Sequence, residues 1–338
     1  MLETIRELSL LNGTSGREDK IREYIISKID GKCKWHVDPI GNLIAYKKGR
    51  NVASKKVMLD SHMDEVGIIV TYINSDGTLK FGNVGGINTK VILGRQFIFD
   101  NGTVGVAGVK PVHLLKGDEK TKIPDNDSLY FDIGASSKEE AEKRVSIGDT
   151  AVFLSDFVSF GRSRIKGKAL DDRVGCAILI DMINSDLEYD AYFSFSVQEE
   201  IGLRGAGCAA YGIDPDYAIV LETTTAADLI DVPDHKKVCI LGNGATVSFM
   251  DRNTLYNKEL FDSAFETAKE NNIKVQPKTV VAGGNNAGAV HKSRDGIRTL
   301  TINVPCRYLH SPSCVCDTED IVSVRALAEA MLNKFAHD

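Results

Sequence analysis

In residues 1–30 the apolar positions recur at helical spacing. Residues 3–11 read as a short amphipathic helix, and after the Gly13-Thr14-Ser15-Gly16 turn Ile21, Tyr24, Ile25 and Ile29 share one face of a second. Ser15 stands where an N-cap is expected, with Glu18 three residues on. The period then shortens: residues 34–37, 42–46, 57–60 and 67–72 read as strands. From about 70 to 165 short β-like runs (78–81, 91–93, 96–99, 104–109, 150–153) are separated by Gly, Asn and Asp, the signature of a small β-rich unit. Beyond 165 helices and strands alternate. Residues 174–183, 204–211, 257–271 and 317–335 read as helices, the last with Thr318 as a cap, and residues 191–197, 217–221 and 297–304 as strands.

Strands alternating with helices imply a mostly parallel or mixed central sheet with helices on both faces. The chain thus reads α/β, then β, then α/β. The middle segment is expected to be a small barrel-like domain (68–164) inserted into a discontinuous catalytic domain (1–67 and 165–338). A length of 338 residues fits about two domains at roughly 150 residues each. With 43% hydrophobic and 26% charged residues the chain is not of the disordered class. The net charge is −6 and no block of five or six like charges occurs, which argues against a nucleic-acid partner. Charged residues interrupt the N-terminal apolar positions, so no signal peptide or anchor is expected, and no apolar run is long enough to span a membrane. Seven scattered cysteines then read as reduced thiols of a cytoplasmic protein.

Candidate chemistry lies where apolar runs end in acids or histidines. Asp60-Ser61-His62-Met63-Asp64-Glu65 follows an apolar run, and alternation lets His62 and Asp64 share a face. Asp171-Asp172 precedes an apolar helix, where two acids can also serve as caps. Glu199-Glu200 ends a buried strand, Glu222 ends another, and His310 follows the strand at 297–304. Carboxyl ends of strands are where open α/β sheets bind ligands. A mixed His/carboxylate set suits hydrolytic zinc, cobalt or manganese, and paired acids suit one metal ligand and one general base. The His-Glu-x-x-His, phosphate-loop, dinucleotide-loop and nucleophile-elbow motifs are absent from the sequence.

These strings resemble the tetrahedral, glutamyl-aminopeptidase-like aminopeptidases, metallopeptidase family forty-two. They are SHMDEVG (61–67), GKALDDRVG (167–175), VQEEIGLRGA (197–206), the Asp228 region with VPDHK (232–236), GGNNAGAVH (283–291) and PCRYLHS (305–311). They stand in the family's order over nearly the whole chain. The resemblance implies a zinc-peptidase-like fold and two divalent ions per chain, zinc first, with cobalt or manganese as alternatives. His62 would bind the first ion, oriented by Asp64, and Asp171 would bridge both, joined to Asp172 by a cis peptide bond. Glu200 and His310 would bind the second. Glu222 stands where the family usually has Asp as the remaining ligand of the first, with Asp228 the alternative. Glu199 would be the general base for a hydroxide shared between the ions. Asn285-Asn286 replaces a common Thr-Asp, removing a carboxylate near the substrate pocket. The implied activity is removal of N-terminal residues from short peptides by a homo-oligomer, often a dodecamer. A metal-dependent deacylase or carboxypeptidase on the same core is the alternative.

Overall fold

Four apolar segments lie side by side at the centre of the molecule, described in a computed structural model for residues 1–337, the side chains of 118 and 119 excepted. Ala191–Ser196, Val57–His62, Tyr217–Thr225 and Arg298–Arg307 run parallel to one another in that order. Val57–His62 is buried along its whole length, as expected of a parallel strand covered on both faces. Among the described residues these four belong to an eleven-stranded mixed sheet. Leu43–Lys47 and Lys34–Val37 extend one side, and Cys314–Asp317, Arg164–Gly167 and Val158–Phe160 the other. Ala245–Ser248 and Val275–Lys278 branch from Arg298–Arg307.

Alternation of side chains divides the apolar residues between two layers. Val57, Leu59, Ile219 and Leu221 face the main core, which also holds the almost wholly buried helix Leu170–Asn184. That helix is covered in turn by Leu2–Leu10, Asp19–Ile29 and Thr318–His337. Met58, Ala218 and Val220 face the opposite layer, packed on the helix Arg204–Ile213. The mixed sheet with helices on both faces is therefore present.

From Gly67 the chain builds a closed six-stranded barrel in the order Gly67–Ile73, Leu79–Val84, Tyr130–Asp132, Val104–Gly108, Gln96–Phe99, Thr150–Phe153. Phe131 packs edge-on against both Phe81 and Phe97 in its core. Two local expectations fail. Residues 91–93 are not a strand, because Asn88 caps a short helix, Thr89–Ile92, by accepting the Lys90 N–H. Ser15 caps nothing: the second helix starts after Glu18 without a side-chain cap, and the Ser15 hydroxyl is taken by Asp64.

Beneath the junction of barrel and sheet, Glu65 is buried against two cations. Its carboxylate accepts from Lys168 Nζ at 2.7 Å and from Arg173 Nη2 at 3.0 Å. Arg173 also donates to the backbone carbonyls of Leu8 and Met63, tying the N-terminal helix to the central strand. Removing one member of a buried ion cluster leaves the others uncompensated. We predict that Glu65→Ala destabilises the fold by about 3–5 kcal/mol, measured by urea unfolding. A loss below about 1 kcal/mol, the range of an exposed pair, would show that the cluster is not a structural anchor.

Candidate metal centre and active site

The parallel strands share one carboxyl edge, and the acids and histidines that end them meet there. His62 is the last residue of its strand. Its Nδ1–H faces the Asp64 carbonyl at 3.1 Å and Asp64 Oδ1 at 3.3 Å. That leaves the Nε2 lone pair pointing into the site, 3.3 Å from Asp171 Oδ1 and 3.3 Å from Glu222 Oε1. On the other side of Asp171, His310 Nε2 lies 3.5 Å from Asp171 Oδ2 and 3.4 Å from Glu200 Oε2. His310 Nδ1–H donates to the Gly86 carbonyl at 2.6 Å, which fixes the ring in the same sense. A histidine ligand oriented by an acceptor on its other nitrogen is the usual arrangement at metal sites.

The helix carrying Asp171 begins irregularly. Ala169 has φ of 52°, Asp171 and Asp172 depart from helical angles, and the Asp171–Asp172 peptide bond is cis. The two neighbouring acids face different partners. Asp171 faces both histidines, whereas Asp172 accepts the Ser61 hydroxyl at 2.5 Å and the Gly175 N–H at 3.1 Å. Gly175 is required by this approach: a Cβ there would stand 2.4 Å from Asp172 Oδ2 and 2.6 Å from Ser61 Oγ.

Two triads could hold ions: His62, Asp171 and Glu200, and His62, Asp172 and Glu222. Glu222 is 5% exposed, and its Oε2 has no hydrogen-bond partner among the described residues. A buried carboxylate oxygen without a donor costs free energy unless a cation meets it, so the donor set fits divalent metal. Glu222, not Asp228, stands at His62. Asp228 is paired with Arg307 Nε at 2.6 Å and accepts the Leu241 N–H, and is thereby committed elsewhere.

Electrostatics reflect the crowding of acids. Burial would press the His62 imidazole down, but Glu222, Asp171 and Asp64 push it well above the ordinary histidine value. Burial also opposes the charged form of His310, yet Asp171 and Glu200 carry it up to about 10. Asp171 is held far below the carboxylate range against its burial by the two histidines. Burial, then Asp171 and Asp64, raise Glu200 to about 8. Glu199 is pushed well up by burial and by Glu200, Asp64 and Asp171.

These groups open on a cleft of about 680 Å³. Its walls include residues to which the sequence assigned no role: Gly86, Asn88 and Val91 from the barrel side, and Arg252, Asn253 and Lys278 from the sheet's far branch. Burial lowers Lys278 from the ordinary lysine range, against the charges of Asp251 and Glu222. A lone lysine ending the short strand VQPK carries no sequence signal of its own. Asn285 lines the cleft, but Asn286 lies behind it, where its amide donates to Asp60 Oδ2 and Ser196 Oγ, both at 2.8 Å. The Asn at 286 therefore supports the His62 strand from behind the cleft wall that Asn285 lines.

The profile of the M42 glutamyl aminopeptidase family matches residues 41–327. A putative aminopeptidase of Acetivibrio thermocellus is 39% identical over 98% of each chain. The lysyl aminopeptidase of Pyrococcus furiosus is 34% identical over 98% of this chain and 96% of its own. Among solved structures, a Pyrococcus horikoshii TET1 peptidase that can assemble into a tetrahedron or a large octahedral shell superposes with a TM-score of 0.85, at 34% identity over 98% of each chain. The chain belongs to the M42 family of aminopeptidase hydrolases. Among the described residues no helix is long and apolar enough to cross a membrane.

Ions that bind only the folded state stabilise it, by about 4 kcal/mol at a thousandfold excess over Kd. Dialysis against a chelator should therefore lower the melting temperature, and added zinc, cobalt or manganese should restore it. A melting curve indifferent to both would mean that the cluster holds no ion.

Proposed function

We propose that the protein is a dinuclear metal-dependent aminopeptidase acting on short peptides. The observation that carries this reading is the meeting of His62, Glu222, Asp171, Glu200 and His310 in one row of contacts, with Glu222 Oε2 unpartnered. His62, Asp171 and Glu222 would hold one ion, and Asp171, Glu200 and His310 the other, with Asp171 shared. Bound ions of this kind polarise a scissile carbonyl and make water a competent nucleophile near neutral pH.

The remaining chemistry belongs to Glu199. It is buried beside the ligand row without standing in it, and it lines the same cleft as Asp171, Glu200 and His310. Its carboxylate takes the proton of the attacking water and delivers it to the leaving amine. Asp64 fixes this group from behind by accepting the N–H of Glu199 at 3.0 Å and of Glu200 at 3.1 Å. The acid-rich floor of the cleft would receive the free α-amino group, confining the reaction to the N-terminal residue. The Pyrococcus furiosus relative's name, lysyl aminopeptidase, supports this class of reaction.

The barrel's outer face supports assembly. Val104 and Val106 point outward while Gly105 and Ala107 point inward, and Val112 and Leu114 are also exposed. An uncovered apolar face on an inserted domain, together with the shells formed by the TET1 peptidase, supports a homo-oligomer, twelve chains by analogy with the tetrahedral form.

Two measurements test the reading. Glu199→Gln should fold, keep the metal content of the wild type and lose about a hundredfold or more in kcat; a variant retaining a tenth of the activity would remove Glu199 from the role of base. Light scattering at micromolar concentration should give a mass many times that of one chain, and a monomer would overturn the assembly.

A further inference from the structure

The corner that carries Glu199 turns sharply where the strand Ala191–Ser196 ends, and its backbone N–H groups need acceptors once they leave the sheet. Side chains from other segments supply them in succession. The Val197 N–H donates to Asn42 Oδ1 at 2.9 Å and the Gln198 N–H to Glu18 Oε1 at 3.1 Å. The N–H groups of Glu199 and Glu200 go to the two oxygens of Asp64 at 3.0 and 3.1 Å. The carbonyls of Val197, Gln198 and Glu199 are met locally, by the N–H groups of residues 202–205. Asn42, Glu18 and Asp64 therefore tie the corner to distant parts of the chain.

Glu18 is placed oddly for a residue at a helix start. It occupies the N-cap position of the helix Asp19–Ile29, yet its side chain makes no cap bond there. Its Oε1 takes the Gly16 N–H at 2.7 Å and reaches Gln198, 180 residues away. The residue is 5% exposed and does not line the cleft, so it is not placed to touch substrate. Gln198, whose N–H it holds, has φ of 57°. A residue with a side chain keeps that left-handed conformation only where its surroundings impose it, and the next residue is Glu199. Ser15, in the same turn as Glu18, donates its hydroxyl to Asp64 Oδ2 at 2.5 Å, so this turn governs two of the corner's acceptors.

We propose that Glu18 is a positioning residue for Glu199. By accepting the Gln198 N–H it holds the left-handed corner in the conformation that aims the Glu199 carboxylate into the cleft. The proposal rests on the reading of Glu199 as the general base. A base must stand within hydrogen-bond reach of the proton it takes, and a misplacement of about 1 Å can cost about a hundredfold in rate.

Metal-loaded wild type, Glu18→Gln, Glu18→Asp and Glu18→Met are compared for kcat, KM, metal content and melting temperature. The substrate is whichever of the p-nitroanilides of Leu, Glu and Lys wild type cleaves fastest. Gln keeps an acceptor oxygen at the same reach and should retain most of kcat. Asp falls a methylene short of Gln198 but is a favoured N-cap residue. It should lower kcat by about tenfold or more with KM and metal content little changed, while the melting temperature holds. Met offers no oxygen and should lose as much; should Met fail to fold, Asp carries the comparison. A merely structural role makes kcat follow the melting temperature, and an Asp variant as active as wild type would overturn the proposal. So would a Gln variant as impaired as Asp.

A double-mutant cycle locates the effect. In the Glu199→Gln background, Glu18→Asp should cost less than about twofold more, because residues that act as a unit are not additive. The full loss repeated in that background would show that Glu18 does not act through Glu199 and would overturn the positioning role. Wild type that hydrolyses no aminoacyl substrate would overturn the aminopeptidase reading, and the proposal with it; an active wild type beside an unmoved Asp variant overturns the positioning role alone.

Discussion

The fully buried Asp64 carboxylate accepts from three separate stretches of chain at once. Ser15 donates its hydroxyl at 2.5 Å, Glu199 and Glu200 donate their N–H groups, and His62 presents Nδ1–H. Burial alone would raise this acid, but His62, Ser15 and the Glu199 N–H hold it below the ordinary carboxylate value. One carboxylate thus fixes the N-terminal turn, the end of the central strand and the Glu-Glu corner relative to one another. The next residue works in the opposite direction: Glu65 binds Lys168 and Arg173 beneath the site. Adjacent acids thus orient the chemistry above and clamp the scaffold below, which is why an apolar strand can end abruptly in His-Met-Asp-Glu without leaving a charge unmet.

Parts of the site that end buried strands were legible in the sequence. A run such as Val57-Met58-Leu59 broken by Asp and His, or Val220-Leu221 broken by Glu222, marks the carboxyl edge of a parallel sheet directly. Residues that reach the site by tertiary placement were not legible. Gly86 comes from a barrel loop, Lys278 from a branch strand and Ser15 from a turn that reads as a helix cap. Short strands such as Tyr130–Asp132 and Cys314–Asp317 owe their state to the neighbours they pair with, so their local pattern carries little. The cap at Asn88 converts an apolar run with β character into a helical turn, a case of local side-chain chemistry overriding propensity.

The barrel is not remote from the chemistry. The Gly86 carbonyl orients His310, and Asn88 and Val91 wall the cleft. Gly67 marks how closely the two parts approach, since a Cβ there would lie 2.2 Å from Thr14 Cγ2. The close junction lets a loop of the barrel fix the ring of His310. The outer face of the barrel and its inner edge are separated by a close-packed core of aliphatic residues and five phenylalanines.

Charge balance explains why an unpaired lysine can exist in this cleft. Asp171, Glu199, Glu200 and Glu222 crowd around two imidazoles, and burial raises each of the three glutamates. A lysine in hydrogen-bond contact with Glu222 would neutralise that carboxylate and compete with any ion for it. Lys278 is set back from contact, so it acts on Glu222 only through its field and leaves Oε2 without a partner. The separation leaves the Glu222 carboxylate unpaired with lysine.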